Sequence, residues 1–211
     1  MKISDSIEKA RSVGANVHIG VEGINFMHLL REKISEAPEL QKICLHDFDN
    51  KINREKWLQV MKAQLDRGSI QALGIICDID LEARQSRVQA TSDLFRRVFD
   101  REVNERELAL GDPILSFLVV PTTVQTGCLE HALLENASIS NCVNEFTECL
   151  RHSNQGKNDN FWAKTKVRSM MIEKGMEGAL STTATTDMWD WTQGSLADML
   201  NFLRVMNDSV Q

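Results

Sequence analysis

Two near-continuous apolar runs, Ala72–Cys77 (ALGIIC) and Ile114–Val120 (ILSFLVV), constrain this chain more than any other feature. A strand that is apolar at almost every position has no face to offer water. Strands buried on both faces belong to parallel sheets covered by helices. Two shorter runs, Ala15–Val21 (ANVHIGV) and Lys42–His46 (KICLH), read as further strands. Helical periodicity fills the intervals. Phe26, Leu29, Leu30 and Ile34 share one stripe after Gly23. Trp57, Leu58, Met61 and Leu65 share another within Arg54–Arg67, with Gly68 as its stop, after a turn over Asp47–Asn53. Leu81–Phe99 turns Val88, Thr91, Phe95 and Val98 inward. Strands alternating with helices at this spacing predict βαβ units, hence an α/β, Rossmann-like, mostly parallel sheet flanked by helices.

From about residue 127 the pattern is helical. Cys128–Asn136, Ile139–His152 with Ser138 as N-cap, and the basic stretch Phe161–Lys174 read as helices, and Ser153–Asn160 as a loop. Trp189, Trp191, Leu196, Met199 and Phe202 dock the C-terminal segment on the core. The 211 residues are expected to form a single domain over 1–211, with a core at about 15–125 and a helical extension at about 126–211.

Composition excludes several classes. No apolar run approaches the ~20 residues of a membrane helix, and the polar start lacks a secretory core, so no membrane partner is expected. Five cysteines without a CxxC pair point to cytoplasmic thiols rather than a disulfide framework or zinc ribbon. A net charge of −6 argues against constitutive electrostatic binding to nucleic acid. The chain has no tyrosine, so it supplies no tyrosine nucleophile.

The carboxylates at the strand ends carry the most chemistry. Glu22 directly follows one predicted strand, and Asp78 and Asp80 follow another. In an open parallel sheet the carboxyl ends of the strands face the ligand crevice. Side chains two apart on extended backbone point the same way, so Asp78 and Asp80 are expected to face one point. Three converging carboxylates repel one another unless a cation compensates, and hard oxygen ligands suit Mg²⁺ or Mn²⁺, so Glu22, Asp78 and Asp80 are all candidate ligands.

The segment IGVEGINFMHLL, followed some fifty residues on by GIICDID, resembles the TOPRIM domain of topoisomerases, bacterial primases, recombination proteins and OLD-type nucleases. VVPTTVQTGCLEHALL at Val119–Leu134 and the closing W-D-W extend the likeness to stand-alone TOPRIM-like proteins related to the OLD nucleases. The resemblance implies Glu22 as general acid/base and Asp78 and Asp80 as the metal pair. Related nucleases use a late lysine, for which Lys166 is chosen over its neighbours Lys164 and Arg168. Where many relatives have Lys or Thr and then an acidic residue after Glu-Gly, this chain has Ile24 and Asn25, which removes a charge and a possible ligand.

The implied activity is Mg²⁺-dependent phosphoryl transfer on DNA or RNA, nuclease-like phosphodiester hydrolysis. The alternative is a catalytically degenerate module that binds a metal, a phosphate ligand or a partner protein without turnover, with a homo-oligomer or a partner ATPase as further expectations. Glu130 is open between a second-metal ligand and a residue placed by the positive end of its helix. Arg84, Arg87, Arg96 and Arg97 are expected as surface charges, His28 and His46 as core or surface histidines, and Cys142 and Cys149 as buried thiols.

Overall fold

The computed structural model describes residues 15–48, 53–65 and 70–210. The stop expected at Gly68 and the middle of the turn expected over Asp47–Asn53 lie outside those residues. Four strands, β1 (Val17–Val21), β2 (Ile43–Asp47), β3 (Ala72–Asp78) and β4 (Ile114–Val120), form one parallel sheet in the order β2-β1-β3-β4. Each expected strand is present, and the fold is α/β as its alternation requires.

The connecting helices are α1 (Ile24–Ser35), α2 (Arg54–Leu65) and α3 (Arg84–Phe99), followed by α4 (Leu129–Leu134), α5 (Asn141–Ser153), α6 (Asp159–Glu173) and α7 (Gly194–Asp208). Alternation along the strands splits the core in two. Val17, Ile19, Val21, Ile76 and Val120 face α1, α4 and α7, together with buried residues of α6 such as Val167 and Met170. Leu73, Ile75, Cys77, Phe117 and Val119 face α2 and α3. The whole helical second half thus lies on one face of the sheet. Trp189 and Trp191 are buried there, as expected of anchors for the C-terminal segment.

Helix ends are less legible than helices. The fifth helix starts at Asn141, capped by Ser140 rather than Ser138, because the Ser140 hydroxyl accepts the Val143 N–H at 3.2 Å. Its Cys142 and Cys149 share a face as expected, but that face is exposed rather than buried; the helix buries Val143 and Thr147 instead.

Candidate metal centre at the strand ends

Parallel pairing brings the carboxyl ends of β1 and β3 side by side. Val21 pairs with Ile76, and the Glu22 N–H donates to the Ile76 carbonyl at 3.0 Å. Glu22 and Asp78 therefore leave the sheet at the same edge, where the fold opens its crevice.

Arg87 organises this edge. Its Nε donates to the Asp78 carbonyl at 2.7 Å, and its Nη2 donates to Glu22 Oε1 at 3.0 Å and Oε2 at 2.8 Å. A longer ion pair reaches Glu82 at 3.9 Å. Burial alone disfavours the charged guanidinium, but the Glu22 carboxylate more than offsets it, and the pKa of Arg87 is raised. The expectation that Arg87 is a surface charge is corrected: it is buried. Its spacing to Thr91, Phe95 and Val98 places it on the inward stripe of α3, a signal present in the sequence. Arg84 is also drawn in, forming a two-pronged pair with Glu105 at 2.9 and 2.6 Å. Arg96 and Arg97 are exposed, as expected.

Asp78 has an unusual environment. Its Oδ1 is buried and has no hydrogen-bond partner. Burial pushes its carboxyl well above the usual carboxylate range; the charges of Glu22, Glu130 and Asp80 push it further, and Lys164 opposes them. Three acidic side chains and one lysine thus act on Asp78.

Asp80 turns away from regular strand geometry. Its φ is 61°, and its backbone pairs with Gly127, donating at 2.6 Å and accepting at 3.0 Å. The extended run that would aim Asp78 and Asp80 together ends between them. Asp80 Oδ1 accepts from Asn160 Nδ2 at 2.6 Å and opens on a cleft of about 760 Å³, shared with Lys166, Lys157, Arg151 and Trp162. Glu130 opens on a second cleft of about 680 Å³, with Asn25, Lys164 and Arg168. Lys164 and Lys166 therefore serve different clefts, because two residues along a helix rotate by about 200°. Lys166 belongs to the Asp80 side, and Lys164 is the lysine whose charge reaches Asp78.

Asn160 and Arg87 complete the surroundings of Asp80 and Glu22; nothing in the sequence singles out Asn160, and sequence reasoning left Arg87 a surface charge. Among the described residues, the one trio of His, Cys, Asp or Glu side chains with ligand atoms all within 4.8 Å of one another is His18, Cys44 and His46.

A family model designated DUF3226 and described as "Protein of unknown function" matches residues 17–207. Comparison with curated proteins finds no match, and comparison with solved structures finds none either. Since the matched region runs from the first residue of β1 into the last turn of α7, the chain belongs to the DUF3226 family.

Proposed function

We propose that the strand-end carboxylates bind Mg²⁺ or Mn²⁺ for phosphoryl transfer on nucleic acid, a nuclease-like hydrolysis of phosphodiesters of the kind implied by the TOPRIM resemblance. The observation that carries this reading is the buried Asp78 Oδ1, without a hydrogen-bond partner and beside three further carboxylates. Such a group is costly unless a cation compensates it, and an all-oxygen donor set fits a hard ion. Asp78 and Asp80 would hold the ion, with Glu130 as a further ligand. When bound, it supplies Lewis acidity and an acidified water.

The chain's own residues do the rest. Glu22, oriented by Arg87, takes or returns a proton. Lys164 offsets negative charge building beside Asp78. The larger cleft mixes charge, with Lys157, Lys166 and Arg151 beside Asp80, Glu148 and Asp159, and Arg151 is paired with Asp159 at 2.9 Å, so the grip on a phosphate backbone falls to Lys157 and Lys166 together with the ion. No helix among the described residues is long and apolar enough to cross a membrane, and all five cysteines are free, which supports a cytoplasmic setting.

A second reading has its own support. Arg87 engages both oxygens of Glu22, and Ile24 and Asn25 follow where relatives carry polar or charged residues. Both favour a module that holds an ion and a phosphate ligand without turnover. Calorimetric titration with Mn²⁺, run beside cleavage assays on single-stranded DNA, duplex DNA and RNA with Mg²⁺ or EDTA, separates the readings. Cleavage silenced by EDTA and by Asp80→Ala supports the nuclease. Mn²⁺ binding without cleavage supports the module. Absence of Mn²⁺ binding rejects both.

A further inference from the structure

Strand register assembles a second polar cluster at the opposite side of β1. His18 stands opposite Cys44 across β1 and β2, and His46, two residues beyond Cys44, projects from the same face of the sheet. His18 is 0% and His46 4% exposed, whereas Cys44 on the edge strand is only partly covered. The ring nitrogens His18 Nδ1 and His46 Nε2 are 2.8 Å apart, and their planes differ by 14°. An aromatic wall backs them: the Trp57 ring lies 5.8 Å from that of His46 and 5.8 Å from that of Phe48. Gly20, opposite His46, makes room for this wall, since a Cβ there would meet Phe48 Cε1 at 2.5 Å and Trp57 Cε3 at 3.1 Å.

We propose that His18, Cys44 and His46 form a site for a borderline-soft transition-metal ion, Zn²⁺, separate from the strand-end carboxylates. Two imidazole nitrogens and one sulfur discriminate against Mg²⁺ and suit Zn²⁺. Ligand atoms within 4.8 Å of one another span one tetrahedral ion with small adjustments. Zn–N bonds of about 2.0–2.1 Å set two nitrogens about 3.3 Å apart, so the histidine rings part by roughly 0.5 Å. Binding exchanges the Cys44 thiol proton for the ion: the S–H bond breaks, an S–Zn bond forms and one proton leaves to solvent, while the proton shared between His18 Nδ1 and His46 Nε2 moves to the other nitrogen of its ring and frees both facing lone pairs. The thiolate charge offsets that of nearby Arg31. Three protein ligands leave one coordination position to water on the partly exposed Cys44 side. The ion would clasp the edge strand β2 to β1.

The test uses the full chain, stripped of metal and titrated with Co²⁺ as a spectroscopic probe. One equivalent of Co²⁺ should produce a thiolate-to-cobalt charge-transfer band that Zn²⁺ displaces, and that is lost in Cys44→Ser. Zn²⁺ should raise the thermal midpoint of the native chain and leave that of Cys44→Ser unchanged. The double variant Asp78→Asn/Asp80→Asn should keep the band, which separates this site from the carboxylate centre. His46→Gln should lose the band with its fold intact by circular dichroism; if it does not fold, Cys44→Ser alone decides. No band in the folded native chain overturns the proposal. So does a band that survives Cys44→Ser, which would place the ion at another thiol such as Cys128 beside His131, or one lost in the aspartate double variant.

Discussion

One guanidinium nitrogen of Arg87 donates to both carboxylate oxygens of Glu22, at 3.0 and 2.8 Å, while the Nε of the same side chain donates to the carbonyl of Asp78 at 2.7 Å. A single side chain from α3 thus ties the exit of β1 to the exit of β3. Arg87→Ala should cost about 2–3 kcal/mol in urea unfolding. That is below the ~3–5 kcal/mol of a fully buried pair, because the Glu22 side chain keeps 34% exposure. Glu22→Gln, which leaves an acceptor for Arg87, should cost less. A loss under about 0.5 kcal/mol for Arg87→Ala would mean the pair contributes nothing beyond an exposed contact.

Asp78 gives stability a pH dependence of known sign. Its folded pKa is raised above the unfolded value of about 3.9, so the folded state binds the proton more tightly. Its contribution to stability is complete below the unfolded pKa and is lost as pH rises through the folded pKa. Asp78→Asn removes this loss, so the variant should be more stable than the native chain at neutral pH, with a gap that closes on acidification. Mg²⁺ should raise the thermal midpoint of the native chain and not of the variant. Melts over a pH series, with and without Mg²⁺, check both. A large loss of stability in Asp78→Asn would identify a structural hydrogen-bond hub instead.

If the proposed chemistry holds, Glu22→Gln should lower cleavage by about 10²–10⁴-fold, the usual worth of one proton-transfer group, while leaving Mn²⁺ affinity within a few-fold. Lys164→Ala should slow turnover more than Lys166→Ala, because the charge of Lys164 reaches Asp78. Lys166→Ala should chiefly weaken binding and its dependence on salt, from its place in the larger cleft. Single-turnover rates and filter binding over a salt series separate the two lysines; the reverse ranking would reverse their roles.

Glu135 caps the C-terminal helix from a distance. The N–H and hydroxyl of Ser195 donate to its two oxygens at 2.7 and 2.6 Å, and Gly194 occupies left-handed backbone at φ 58°. A Cβ on Gly194 would lie 2.5 Å from Glu135 Oε2. Left-handed backbone alone costs a non-glycine residue about 1–2 kcal/mol. Gly194→Ala should therefore cost more than about 2 kcal/mol, read as a lowered midpoint in chemical denaturation. A change within the scatter of surface substitutions would mean that this junction relaxes freely.

The thiols should titrate in classes. Cys142 and Cys149 are exposed and should react rapidly with an aromatic disulfide reagent in the native state. Cys77 and Cys128 should react only on unfolding, since burial raises their pKa values to about 11 and about 12, with the Glu130 carboxylate adding to that of Cys128. Mass spectrometry of the modified peptides assigns each class. Fast modification of Cys77 would contradict its complete burial.

Local order along the chain determined the sheet. Ala72–Cys77 and Ile114–Val120 specify buried parallel strands because the preferences that make a strand apolar on both faces act within a few residues. Glu22 and Asp78 were legible at the strand ends for the same reason. Helix rotation was legible only where apolar residues marked it: Arg87 sits on the inward stripe of α3, but its charge concealed that until Glu22 was seen beside it. The placement of Lys164 and Lys166 in different clefts depends on how α6 is turned against α4 and the end of β3, a matter of packing between segments far apart in sequence. The juxtaposition of His18 with Cys44 and His46 was decided by tertiary structure alone. It follows from the register of β1 against β2, which is fixed by burying two strand faces at once, and no local spacing encodes a pairing across that many residues.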